Sequence, residues 1–189
     1  IIMQARELNI DLVIMGTLGK TGIREQLLGS ITASLIGHLE KPLLAIPLEF
    51  EWAIPQKIAF AIEDFAEAKK LAAPVMELTK IFDATIYFTL FTDEDSNTAV
   101  GYKKDEENVQ AFTNQMSEDY KSYRMQAHHI AGSKFLEVII KDMEEEDIHL
   151  LAIINHPQNI IQSLFHQSLS KKLAYQSKVP LLILKGQHA

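Results

Sequence analysis

The chain has 189 residues, 47% of them hydrophobic and 23% charged, which suits one or two ordinary globular domains and excludes a chain disordered throughout. A formal net charge of −7 argues against a nucleic-acid backbone as the main partner, and the absence of cysteine excludes disulfides, thiolate metal sites and cysteine catalysis. No apolar run approaches the roughly 20 residues that cross a bilayer, and no signal-like segment opens the chain, so a membrane is not an expected partner and the cytoplasm is the default location.

The first predicted element after the N-terminal residues is a short aliphatic strand, Leu12, Val13, Ile14 and Met15, which runs into Gly16. Glycines follow at 19 and 29, and glycine lets a backbone approach a ligand where a side chain would obstruct it. A helix is expected to begin near Ile23 or Arg24, with Leu27, Leu28, Ile31 and Leu35 at helical spacing. Its unpaired N-terminal amides and positive dipole end would favour a phosphate beside the loop. Lys20 would add a charge there, and Ser30 a hydroxyl. The same spacing also suits a structural role in which Gly16 ends the strand, Gly22 starts a turn and Gly29 lets the helix pack closely on the sheet.

Gly16-x2-Gly19-x9-Gly29-Ser30, followed by a helix and the strand start Lys41-Pro42-Leu43-Leu44, resembles the universal stress protein family from its fourth strand to its fifth. The resemblance implies a Rossmann-like α/β fold, a parallel five-stranded sheet flanked by helices. In one branch it also implies ATP, alone or with Mg2+, held by the residues that here are Gly16, Gly19, Lys20, Gly29 and Ser30. Other branches lack the motif and bind no ATP. The family's fifth strands commonly pair at a domain or dimer interface, so Pro42–Ile46 and Pro180–Leu184 are expected side by side about a pseudo-twofold axis, within one chain or in a homodimer.

Pro47 to Pro55, with Phe50 and Trp52, reads as an extended and partly packed linker. A complete α/β pattern then begins near Gln56. Its first strand, Lys57–Ile62, is apolar after the lysine, as a strand buried on both faces should be. A helix over 66–81 is predicted from the stripe Ala68, Leu71, Ala72, Val75, Met76 and Leu78, with Pro74 as a kink, and a strand over 84–90 follows. Residues 92–108 carry many charges and few large apolar side chains, and read as a solvated loop leading into a helix through Met116. Next come a strand over 124–130, a helix over 134–145, a strand over 149–154, a helix over 162–176 and a strand over 179–184.

Residues 1–47 repeat in the C-terminal part without a gap. Ile1, Ile2, Glu7, Ile10 and Leu12 meet Ile139, Ile140, Glu145, Ile148 and Leu150, Ser30 meets Ser168, and Pro42-Leu43-Leu44 meets Pro180-Leu181-Leu182. Gly16, Gly19 and Gly29 meet Ile154, Pro157 and Gln167, which cannot offer the same open backbone, so the second phosphate loop is degenerate. The expected organisation is a tandem repeat: 1–47 as the C-terminal part of a first domain, 48–55 as linker and 56–189 as a complete second domain. The first copy enters in what the repeat identifies as its third helix, so the chain reads as a fragment. Its strand-helix-strand remnant would leave apolar faces in water, at about 25 cal/mol per Å2.

Other constellations carry less. Glu63 and Asp64 end the first strand of the second domain, where the resemblance implies an acid near adenosine. Glu63 aligns the better of the two, although both also suit the start of the following helix as a charge pair complementing its dipole. His128 and His129 are neighbours on a strand and point to opposite faces, a poor arrangement for chelating one metal. His149, His156 and His166 cluster about the degenerate loop, where a polar-loop histidine is usually solvated. The run Met143 to Asp147 reads as a solvated turn. No nucleophile with its base and no paired catalytic carboxylates stand out, so no catalytic residue and no metal site is assigned. The expected function is regulatory nucleotide binding without dedicated turnover, at most a slow ATPase; the alternative is a dimerisation or interaction scaffold that keeps its glycines only for packing.

Overall fold

A computed structural model describes residues 1–17, 30–48, 50–95, 97–156, 173 and 177–186. In chain order its elements are α1 (Ile2–Glu7), β1 (Val13–Gly16), α2 (Ser30–His38), β2 (Leu43–Ile46), β3 (Lys57–Ile62), α3 (Phe65–Leu71), α4 (Ala73–Ile81), β4 (Thr85–Asp93), α5 (Ala99–Asp119), β5 (Arg124–Gly132), α6 (Phe135–Glu145), β6 (Leu150–Asn155) and β7 (Leu181–Lys185). The strands form a seven-stranded sheet in the order β1-β2-β7-β6-β3-β4-β5. The expectation of a five-stranded parallel sheet is thereby corrected: the sheet has seven strands, and β2 pairs with β7 antiparallel. The edge that β2 would otherwise leave open is closed by β7, which removes a row of unpaired backbone groups.

By compactness the chain divides into residues 1–52 together with 153–189, and residues 53–152. In the first unit, β1 runs parallel to β2 from Val13 opposite Leu43 to Gly16 opposite Ile46. On the other side of β2, Leu43, Leu44 and Ala45 face Ile183, Leu182 and Leu181. Leu44 therefore faces Leu182, the residue to which the ungapped repeat assigns it, and the flanking pairs cross over as a local twofold requires. All six residues are buried. Met3, Ile14 and Ile31 are 73%, 62% and 61% exposed, whereas Ala152, which the repeat register sets against Ile14, is fully buried in β6.

In the second unit, β3 lies between β4 and β6, parallel to both, and β5 extends the sheet beyond β4. β3 and β4 are buried over most of their length, and Phe60, Phe88 and Phe112 form the aromatic centre. Pro74 does more than kink the expected helix. It splits it into α3 and α4, standing in the first turn of α4, where its missing N–H costs nothing.

The stretch read as a loop over 92–108 is instead the end of β4, a short turn and the first half of the 21-residue α5. Thr98 caps that helix by accepting from the Gly101 N–H at 3.2 Å. Val109, Phe112, Thr113 and Met116 are its buried residues. This stripe is narrow, and most of the rest of the helix, charged residues with Val100 and Tyr102 among them, is exposed.

Three helices end on a non-glycine residue with positive φ: Asn9 after α1, Asp83 after α4 and Asp147 after α6. These are residue types that tolerate the left-handed region. The next amide closes each helix end, with Ile10 bonding Ala5 O at 3.3 Å, Ala84 bonding Thr79 O at 2.9 Å and Ile148 bonding Met143 O at 2.9 Å. Asn9 and Asp147 coincide in the repeat register. The acidic run after Met143 thus contains a helix stop, and Lys57 Nζ donates to Glu146 O there at 2.6 Å, placing a cation at the negative end of the α6 dipole.

Candidate functional site

Gly16 is the last residue of β1, at the C-terminal edge where parallel strands deliver ligands. The next residue, Thr17, is buried and donates its N–H to Ile46 O at 2.9 Å, continuing the ladder one step past the strand. Buried Thr32 donates its hydroxyl to Gly16 O at 3.0 Å, tying α2 to the strand end. Asn155 donates to Ile36 O at 2.9 Å from the end of β6, giving α2 a second polar tie. Sequence reasoning missed Thr32 and Asn155. The only available signal for Thr32 was a hydroxyl one residue beyond the Ser30–Ile31 helix start, with no indication of its partner.

Ser30 opens the described part of α2. Gly19, Lys20 and Gly29 lie outside the described residues, as do His166 and the start expected for the helix near Ile23. What is described is the frame of the loop: a parallel strand ending in glycine before it and a helix after it, locked together by Thr32.

Glu63 and Asp64 are exposed at the C-terminal end of β3. Asp64 is the N-cap of α3: its backbone is extended, at φ −120° and ψ 119°, and its Oδ1 accepts from the Glu67 N–H at 2.8 Å. That is the helix-start role weighed in the sequence. Replacing Asp64 with alanine should lower thermal stability by about 1 kcal/mol. Nucleotide affinity, measured by calorimetry, should stay unchanged; a loss of affinity exceeding the loss of stability would give Asp64 a ligand instead of a cap.

His128 and His129 do point to opposite faces of β5. His128 Nε2 lies 2.8 Å from Asp142 Oδ1 on α6, while His129 Nε2 lies 2.7 Å from Thr92 Oγ1, beside α5. No three His, Cys, Asp or Glu side chains are grouped to hold a metal among the described residues. His149 Nδ1 accepts from the Lys57 N–H at 3.3 Å, and the His149 N–H donates to Lys57 O at 2.9 Å, so this histidine continues the β3–β6 pairing below its first ladder residue.

The universal stress protein family model matches residues 1–47, the segment that contains the whole glycine spacing. Over these residues the chain is similar to the universal stress protein family. A universal stress protein of Methanocaldococcus jannaschii is 41% identical over 46 residues, which make up 24% of this chain and 28% of that protein. The fold likeness runs further. A universal stress protein structure from Archaeoglobus fulgidus superposes with a TM-score of 0.74 at 14% identity, over 97% of this chain and 65% of that one. A universal stress protein crystallised in complex with cAMP gives a TM-score of 0.54 at 12% identity, over 71% of this chain and all of that one. The chain thus spans less than a third of the curated relative and just under two thirds of the Archaeoglobus protein. No helix of the universal stress protein fold described here is long and apolar enough to cross a membrane.

Proposed function

We propose that this universal stress protein is a nucleotide-binding regulator whose first copy holds the phosphates of ATP, with Mg2+ as counter-ion, through Gly16, Gly19, Lys20, Gly29 and Ser30. One observation carries the reading: the complete glycine spacing lies inside the 47 residues that match the family, and its first glycine ends a parallel β-strand immediately before the loop. An anion at that edge meets free backbone N–H groups and the positive end of a helix. A family relative in complex with cAMP makes an adenine nucleotide a reasonable ligand class.

The second copy, residues 56–189, carries Ile154, Pro157 and Gln167 at the glycine positions and is proposed not to bind nucleotide. The antiparallel pairing of β2 with β7 supports fifth-strand pairing of the copies. Glu63 remains the candidate for an adenosine-side acid in the second copy, and Asp64 its capping neighbour.

Binding without dedicated turnover stabilises whichever state holds the ligand. Mg-ATP at about 100 times its Kd should raise stability by about 2.7 kcal/mol. Thermal denaturation with and without millimolar Mg-ATP tests this. A rise in Tm supports the nucleotide reading, and an unchanged Tm supports the scaffold reading in which the glycines serve packing alone.

A further inference from the structure

We propose that β5 works as a two-sided proton latch: His128 holds α6 most tightly when it carries a proton, and His129 holds α5 most tightly when it is neutral, so the two helices loosen at opposite ends of the pH range. Neither histidine belongs to the proposed nucleotide site, and the latch does not depend on it.

On one face, His128 and Asp142 form a close pair with side chains only 20% and 12% exposed. Asp142 Oδ2 is buried with no hydrogen-bond partner, so loss of the imidazolium charge leaves a buried carboxylate held only by the neutral Nε2–H donated to Oδ1. The other groups facing this pair are Glu146 on α6, the Tyr87 ring on β4 at 6.1 Å, and Lys57 on β3, whose ammonium lies 6.0 Å from the Tyr87 ring and is bonded to Glu146 O. Lys57 is thus engaged at the end of α6.

On the other face, the Thr92 hydroxyl lies 2.7 Å from both Asp105 Oδ2 and His129 Nε2. A carboxylate only accepts, so the hydroxyl proton goes to Asp105 and His129 Nε2–H donates to Thr92. His129 Nδ1 is then a bare nitrogen, buried and unpartnered. Protonating it would strand a buried N–H with no acceptor, and the ring packed against this imidazole is Tyr102 of α5, with centroids 4.3 Å apart. Asp105 and Glu106 on α5 and His128 on β5 are the other charged or titratable groups that act on it.

The hydrogen bond to Asp142 raises His128 above the ordinary imidazole value of 6.5, against burial and with help from the charges of Asp142 and Glu146. Burial lowers His129 below 6.5, against the attraction of Asp105 and Glu106. The His128 contribution is therefore complete below pH 6.5 and lost as pH rises through its raised value. The His129 contribution is complete above pH 6.5 and lost as pH falls through its lowered value. Together they place the tightest packing near pH 6.5.

Hydrogen exchange by mass spectrometry on the full chain at about pH 5.5, 6.5 and 8.5, corrected for intrinsic chemical rates, reads both helices at once. Each unit by which an imidazole is displaced is worth about a tenfold change in the opening equilibrium. Expected are faster opening of α6 at the alkaline end and of the first half of α5 at the acid end. His129→Gln should abolish only the acid response, and His128→Gln only the alkaline one. Should either variant fail to fold, an NMR titration of the two imidazoles in the unmodified chain decides the matter, with His128 expected to titrate above His129. Release of both helices on the same limb, or a reversed order of titration, overturns the latch.

Discussion

Gly29→Val should weaken Mg-ATP binding by at least about a hundredfold, close to 3 kcal/mol, measured by isothermal titration calorimetry. A β-branched side chain at that position blocks the close approach of backbone amides to phosphate and restricts the backbone itself. The matched control is Gln167→Val at the same register position of the second copy, which should leave affinity unchanged because that loop has lost its other glycines. Circular dichroism should show the same helix content in both variants, since α2 is anchored by Thr32 and Asn155. Unchanged affinity in Gly29→Val would remove the proposed phosphate site.

The second large effect falls on the strand pair in the first unit. Leu44 and Leu182 are buried opposite one another, so truncating either to alanine should cost about 2–5 kcal/mol by lost transfer energy and the cavity left behind. Because each forms part of the wall of the other's cavity, the double variant should cost less than the sum of the singles, with a coupling of about 0.5–1 kcal/mol. Chemical denaturation of the four species closes the cycle. Strict additivity would mean that the two strands do not share a packed contact in solution.

If the proposed nucleotide site is occupied, the strand pairing at Leu44 and Leu182 is the element next to it through which occupancy would act. β2 continues directly from α2, the helix that follows the glycine loop, and its free side is taken by β7. A ligand held at that strand end would act on one side of a two-strand unit whose other side is β7. Linkage requires only that the ligand prefer one arrangement.

How much of this was legible beforehand depends on where each residue finds its partner. β3, β6 and β7 were readable because strands buried on both faces appear as unbroken apolar runs, such as Ile58 to Ile62 and Leu150 to Ile154. The break at Pro74 was half legible, since proline marks the spot but does not say whether a helix bends or restarts. α5 was misread because its first half, Ala99 to Asn108, is almost wholly solvent-facing, so the apolar period begins only at Val109. The helix stops at Asn9 and Asp147 matched in the repeat register, yet nothing short of backbone geometry distinguishes a left-handed aspartate from an ordinary surface acid.

The candidate site divides in the same way. The glycine spacing and its loss in the second copy are local patterns, visible without coordinates. The cap role of Asp64 needed the observed bond to Glu67 N to be recognised. The outward alternation of His128 and His129 follows from strand geometry alone, but Asp142 lies 14 residues from the first, and Thr92 lies 37 residues from the second.

By itself the sequence determined the α/β class and the resemblance of residues 1–47, and it suggested an ungapped internal repeat whose second copy lacks the glycines, because each is written in neighbouring residues through periodicity, spacing and backbone freedom. Only the tertiary structure decided that seven strands share one sheet, that β2 meets β7 antiparallel, and that adjacent histidines bind groups on different helices. Those outcomes rest on contacts between residues far apart in the chain, where burial and the need to satisfy polar groups select partners that no local pattern specifies.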